Sequence, residues 1–230
     1  MQNDSLQTEQ QQPPTDELKE IARQLAHPDG ERGVDMGHMM NESNISMIRN
    51  AIRHLKLKDE ELVLELGHGN ANHLTELHQQ ASDLVYYGLD ISATMNSEAE
   101  DYAKENNLMS KSSFTLYDGT DIPFTKNTFD KIFTVNTIYF WQDPNQLLDE
   151  LYRVLKDDGI LCITFVDKGT MDMLPFTAYG FTKYTADSFE ALIDKSQFKT
   201  ISIERYAEKI KNKMLQEMER IYFVALMAKG

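Results

Sequence analysis

Residues 61–74 read ELVLELGHGNANHL. A five-residue apolar run, Leu62 to Leu66, broken only by Glu65, meets two glycines, Gly67 and Gly69, and then the small residue Ala71. An apolar run of strand length that ends in glycines predicts a buried strand, a tight turn and a helix behind it. Similar runs recur along the chain: LVYYGLDI, SFTLY, DKIFTVN and ILCITFV, each separated from the next by a longer stretch. Strand-length runs alternating with helix-length segments are the pattern of βα units, whose parallel sheet is buried on both faces. The expectation is a doubly wound α/β domain.

The intervening segments support this reading. DPNQLLDELYRVLKDDG predicts a helix with Asp143 as N-cap, Pro144 at its first position, a stripe of Leu147, Leu148, Leu151, Val154 and Leu155, and Gly159 as its stop. Ahead of the first strand, Leu18, Ile21, Ala22 and Leu25 mark a helix from Asp16 that HPDG stops. Ile45, Ile48, Ile52 and Leu55 mark a second, from Asn44 to Leu55, with the methionine-rich segment GVDMGHMMNESNISM between the two. Beyond Val166, TADSFEALIDKSQF predicts a helix, and KTISIERYAEKI and RIYFVALMAKG are β-rich runs joined by a linker too short for a crossover helix, hence antiparallel. The Gln-rich start ends in Pro13-Pro14 and offers nothing to offset the entropy of ordering. The expected organisation is a disordered tail over 1–15, an N-terminal helical cap over 16–58 and the α/β domain over 59–230.

Composition limits function. With 230 residues, one sizeable core is expected. A formal charge of -14 opposes binding to a phosphate polymer, so no nucleic-acid partner is expected. Apolar runs are far shorter than the roughly 20 residues of a membrane helix, and the N-terminus lacks a signal peptide's basic start and apolar stretch, so no membrane association and a cytoplasmic location are expected. The lone Cys162 excludes an internal disulfide and reads as a buried small hydrophobe. His68, His73 and His78 have no i,i+4 pair and no second ligand cluster, so no metal site is expected.

The turn after the first strand lies where open parallel sheets bind ligands. A dinucleotide fingerprint, G-x-G-x-x-G, would require a third glycine where this chain has Asn72. Instead Glu65, Gly67, Gly69 and Ala71 fall in the order E-x-G-x-G-x-A. That pattern resembles the first motif of the class I S-adenosylmethionine-dependent methyltransferases, E/D-x-G-x-G-x-G, with alanine replacing the last glycine; an added methyl there calls for a negative φ. Further motifs follow in the family's order over about residues 60–167. YYGLDIS places Asp90 and Ile91 at the end of the second strand, LYDGTDIPFTKNTFDKI carries Asp118 and Gly119, TVNTIYFWQDP carries Asn136, and ELYRVLKDDGILCITF resembles the fifth-strand motif with Asp158 in place of one of its two glycines.

The resemblance implies a Rossmann-like, mostly parallel seven-stranded sheet with an antiparallel C-terminal pair, and S-adenosylmethionine as cofactor. It implies that Glu65, Gly67, His68, Gly69 and Ala71 surround the methionine end, that Asp90 takes the ribose, that Ile91 is among the cofactor contacts, that Asp118 and Gly119 hold the adenine, and that Asn136 lies beside the methionine portion. Asp90 is alternatively a helix cap, Asp118 a turn former and Asn136 a loop tie. Tyr139 and Trp141 are read either as substrate-facing or as core. A general base is needed only if the accepting atom must lose a proton, and the candidates are His38, Tyr139 and Tyr179. Methionines and aromatics in the cap and in KGTMDMLPFTAYGFTKYT suggest a small, partly apolar acceptor. Two other classes stand beside the enzyme: a non-catalytic S-adenosylmethionine-binding regulator, and an NAD-binding oxidoreductase. Oligomeric state is not legible in these patterns.

Overall fold

The computed structural model describes residues 14–211 and 217–230. Its elements in chain order are α1 (Thr15–Ala26), α2 (Gly30–Leu55), β1 (Leu62–Leu66), α3 (Leu74–His78), β2 (Val85–Asp90), α4 (Ala93–Glu105), β3 (Ser112–Leu116), β4 (Phe129–Val135), α5 (Pro144–Val154), β5 (Leu155–Val166), α6 (Lys168–Asp172), α7 (Ala186–Ile193), β6 (Phe198–Lys211) and β7 (Glu217–Lys229). The tail expected over 1–15 lies outside the described residues as far as residue 13, and Thr15 already opens α1.

The seven strands form one sheet in the order β3-β2-β1-β4-β5-β7-β6. β1 to β5 pair in parallel, whereas β7 pairs antiparallel with both β5 and β6. This is the doubly wound sheet with an antiparallel C-terminal pair that the sequence predicts. Its strands are apolar almost throughout because helices cover both faces: Val63, Leu64, Ile132, Phe133, Leu161 and Ile163 are all fully buried. The strand order reverses between β1 and β4, and Leu66 is in register with Leu89 on one side and Thr134 on the other. The carboxyl ends of β1, β2 and β4 therefore open at one level, at the switch point where such sheets bind ligands.

Two helices depart from the expectation. The predicted helix over 44–55 is the second half of a continuous 26-residue helix, α2, that absorbs the methionine-rich segment. Its glycines serve close packing rather than a break. A Cβ at Gly33 would stand 2.8 Å from the Pro28 carbonyl carbon, and one at Gly37 2.8 Å from the Met95 sulfur. α2 also packs against β4, β5 and β7, so it belongs to the sheet's covering layer as much as to a cap. The second departure is α5, which ends at Val154 rather than at Gly159. Leu155 pairs with Phe129, the ladder then slips, and Gly159 lies inside β5. A side chain at Gly159 would meet the Leu155 side chain at 2.6 Å and the Asp130 carbonyl oxygen at 3.0 Å, so close approach explains the glycine. The N-terminus of α5 is as predicted, with Asp143 accepting from Asn145 N and Gln146 N ahead of Pro144.

Candidate functional site

A crevice opens at the carboxyl ends of β1, β2 and β4, roofed by the end of α1 and the middle of α2, with about 1030 Å³ of empty space including its mouth. Glu65, Gly67, His68, Gly69, Asp90 and Ile91 line it, together with Gly119 and Asn136. Ala71, Asp118, His38, Tyr139 and Tyr179 are outside this lining.

The turn from Gly67 to Ala71 is built from left-handed residues: φ is 71° at Gly67, 55° at Gly69 and 50° at Ala71. The alanine thus sits at positive φ, against the expectation, with its methyl fully buried. Its burial offsets part of a conformational cost of about 1–2 kcal/mol. Gly69 has no atom within 4 Å of where a Cβ would stand, so the backbone there borders open space. Asp90 reaches across from β2 and accepts from Gly69 N through Oδ2 at 3.0 Å and from Ser92 N through Oδ1 at 2.9 Å. The Ser92 hydroxyl in turn caps α4 by accepting from Met95 N. A carboxylate has about four lone-pair positions, so each Asp90 oxygen retains room for one further donor.

Beneath the turn, Glu65 is buried and accepts from the Tyr86 hydroxyl at 2.5 Å and contacts His73 Nε2 at 2.7 Å. His68 sits under the turn, its ring edge-on to Phe114 and its Nε2 3.3 Å from Asn96 Oδ1. His78 bonds Ser112 Oγ instead, so the three histidines have three separate partners. No group of three metal-ligating side chains stands together among the described residues.

The remaining predicted residues divide clearly. Asp118 is exposed and its Oδ1 accepts from Thr120 N and Asp121 N, contacts that hold its carboxyl below the usual carboxylate range. It shapes the turn that carries Gly119, at φ 87°, and Tyr117 into the crevice. Asn136 adopts φ 61° and presents its side chain at the end of β4. Tyr139 is buried in a short helical turn after β4, its hydroxyl tied to Asn136 and Val166, and burial pushes its phenol up. His38 is half exposed, 3.8 Å from Glu98. Tyr179 lies beyond the crevice, with Lys19 Nζ 6.0 Å from its ring centre. Trp141, buried beside the crevice, donates from Nε1 to the Thr137 hydroxyl at 3.1 Å.

Sequence reasoning placed the methionine-rich segment near the acceptor but did not single out Pro28, between α1 and α2, or Met40, Asn41 and Asn44 on α2, nor Tyr117 and Met95. Asn41 and Asn44 are spaced to share a helix face, a signal visible only once α2 is known to be continuous.

The geometry suits a nucleoside. An acceptor-rich carboxylate with spare lone pairs meets ribose hydroxyls, open backbone at Gly69 admits a close approach, and Ile91 with the Tyr117 ring offers surfaces for a base. Comparison with known proteins agrees. Residues 64–163 match the model of the methyltransferase domain family. Methyltransferase GfsG of Streptomyces halstedii is 27% identical over 155 residues, 64% of this chain and 55% of that protein. A demethylmenaquinone methyltransferase of Bacteroides fragilis is 31% identical over 134 residues, 57% of this chain and 54% of that protein. The chain thus spans about half the length of these curated relatives. In fold, it resembles a chain from the complex between the Haloferax volcanii Trm112 methyltransferase activator and the putative methyltransferase, with a TM-score of 0.74, 14% identity and coverage of 92% of this chain and 98% of that one. With motifs, sheet and crevice in agreement, residues 64–163 are similar to the class I S-adenosylmethionine-dependent methyltransferase domain, and that similarity supports S-adenosylmethionine as the cofactor.

Proposed function

We propose that the protein transfers a methyl group from S-adenosylmethionine to a small, partly apolar acceptor by in-line displacement. The observation that carries this reading is Asp90, a buried carboxylate facing the crevice with acceptor positions unused after Gly69 and Ser92. In this reading Asp90 takes the ribose hydroxyls. Backbone at Gly67, His68, Gly69 and Ala71, above Glu65, receives the methionine end, and Asn136 lies beside it. Ile91, Gly119 and Tyr117 flank the adenine. Asp118 acts at one remove, by fixing the turn that presents Gly119.

The cofactor supplies a methyl carbon already activated by a positively charged sulfur. The chain's own part is to align the acceptor and keep water out. α2 forms one wall for this purpose, through Met40 and Ile48, and Phe140 and Trp141 form the other. None of His38, Tyr139 or Tyr179 lines the crevice, and the Tyr139 hydroxyl is taken up by Asn136 and Val166.

That same observation favours a second reading, a regulator that binds the cofactor without turnover. Calorimetric titration with S-adenosylhomocysteine and with NAD tests the binding: selective affinity for NAD overturns the methyltransferase reading. Incubating the protein with methyl-labelled cofactor and a metabolite extract then separates the enzyme, which labels a small molecule, from the regulator, which labels none.

A further inference from the structure

Two carboxamides on the acceptor side of the crevice have their polarity fixed by the protein. Asn44, on α2, and Asn136, after β4, both line the crevice. Asn44 Oδ1 accepts from Arg220 Nη1 at 3.2 Å. A guanidinium has no acceptor, so this amide cannot be turned around. Arg220 is itself buried and anchored, donating to Glu208 Oε1 from Nε at 2.9 Å and to the Ser43 carbonyl from Nη2 at 2.7 Å. Asn136 Oδ1 accepts from the Tyr139 hydroxyl at 2.8 Å. That hydroxyl receives Val166 N–H, which leaves its proton committed to Asn136.

Both amide oxygens are therefore occupied from behind, and both NH₂ groups remain for the crevice. Asn44 Nδ2 has no hydrogen-bond partner among the described residues, and Asn136 Nδ2 has only the Met47 sulfur at 3.6 Å. Asn136 also holds a left-handed conformation that costs about 1 kcal/mol or more, the kind of strain that persists at binding sites. Among the described residues, no lysine or arginine lines the crevice, and its two acids are Glu65 and Asp90. A full negative charge brought into such a site would lose its hydration without gaining a cationic side chain from the protein.

We propose that Asn44 and Asn136 are a pair of hydrogen-bond donors that bind an uncharged carbonyl or hydroxyl oxygen of the methyl acceptor, with Arg220 and Tyr139 as the positioning residues that set their polarity. This assignment rests on the methyltransferase reading and names the class of acceptor: neutral and oxygen-bearing, with an apolar body. Asn136, beside the methionine portion of the cofactor, brings that oxygen next to the methyl group.

The test is an NMR titration of the S-adenosylhomocysteine-saturated protein with acetophenone and with benzoate, which share a ring and differ in charge. Acetophenone is expected to bind at least about tenfold more tightly, and Asn44→Leu, which keeps the volume and removes the donor, to weaken it roughly three- to tenfold. Arg220→Lys, which still donates to Asn44, is expected to retain more acetophenone affinity than Arg220→Met, a difference that loss of packing alone does not give. Equal or tighter binding of benzoate, an unchanged acetophenone affinity in Asn44→Leu, or no binding of either molecule overturns the assignment. Failure to bind S-adenosylhomocysteine overturns the underlying methyltransferase reading instead.

Discussion

A single methyl group placed at Gly67 or at Gly69 separates stability from cofactor binding. Both residues have positive φ, so alanine at either position carries a backbone cost of about 1–2 kcal/mol. Their surroundings differ. The new Cβ at residue 67 would stand 2.3 Å from Thr137 Cγ2. Thr137 cannot swing away freely, because its hydroxyl meets Thr134 Oγ1 at 2.5 Å and accepts from Trp141 Nε1 at 3.1 Å. Overpacking of this kind adds about 1–3 kcal/mol, for a total of about 2–5 kcal/mol. The Cβ at residue 69 meets nothing within 4 Å, and only the backbone cost applies. Yet that methyl stands beside the amide that donates to Asp90, in space we assign to the cofactor. Urea denaturation should therefore show Gly67→Ala as clearly the less stable variant. Titration with S-adenosylhomocysteine should show Gly69→Ala losing at least about tenfold in affinity, or about 1.4 kcal/mol, while still folded. The reasoning is refuted if Gly69→Ala binds the ligand as the parent does, or if the two variants are equally destabilised.

Other consequences follow from buried groups. Tyr86→Phe removes one donor from the buried Glu65 carboxylate and should cost about 1.5–3 kcal/mol in urea denaturation, with a change within experimental error counting against the hydrogen bond. His78 is held below its ordinary value of 6.5 first by burial and then by the charge of Lys111. Its unfolded form takes up protons more readily, so its contribution to stability is complete above pH 6.5 and is lost as pH falls below it. Replacing it, as His78→Gln, should flatten that part of the stability profile, and an unaltered slope argues against burial as the cause of the shift. Burial pushes the Cys162 thiol up to about 12, so a thiol reagent should leave the native protein unlabelled at neutral pH and label it in denaturant. Rapid native labelling would place Cys162 elsewhere than mid-strand in the core.

The sheet was legible because parallel strands buried on both faces must be almost continuously apolar, a condition met by LVLEL and ILCITFV. The cap at Asp143-Pro144 was legible because its hydrogen bonds are local. Tertiary packing hid the rest. Gly159 reads as a helix stop, and only the atoms that a Cβ would strike reveal it, like Gly33 and Gly37, as a point of close approach. Ala71 illustrates the converse, since burial of its methyl in the folded chain holds a conformation that local propensity argues against. Within the site, the segment after β1 and the strand-end Asp90 were found because motif order is linear. The donors on α2 were not, since the polarity of Asn44 is set by Arg220, 176 residues away. Nor did the sequence separate Gly119, which lines the crevice, from Asp118, whose carboxylate is spent on its own turn.

The account turns on the carboxylate at the end of β2, and a crystal structure of the protein with S-adenosylhomocysteine tests it most directly. We expect the ribose hydroxyls within hydrogen-bond distance of Asp90 and the amino-acid end over Gly67 and Gly69. A ligand bound elsewhere, or one that leaves Asp90 bonded to Gly69 N and Ser92 N alone, would contradict it.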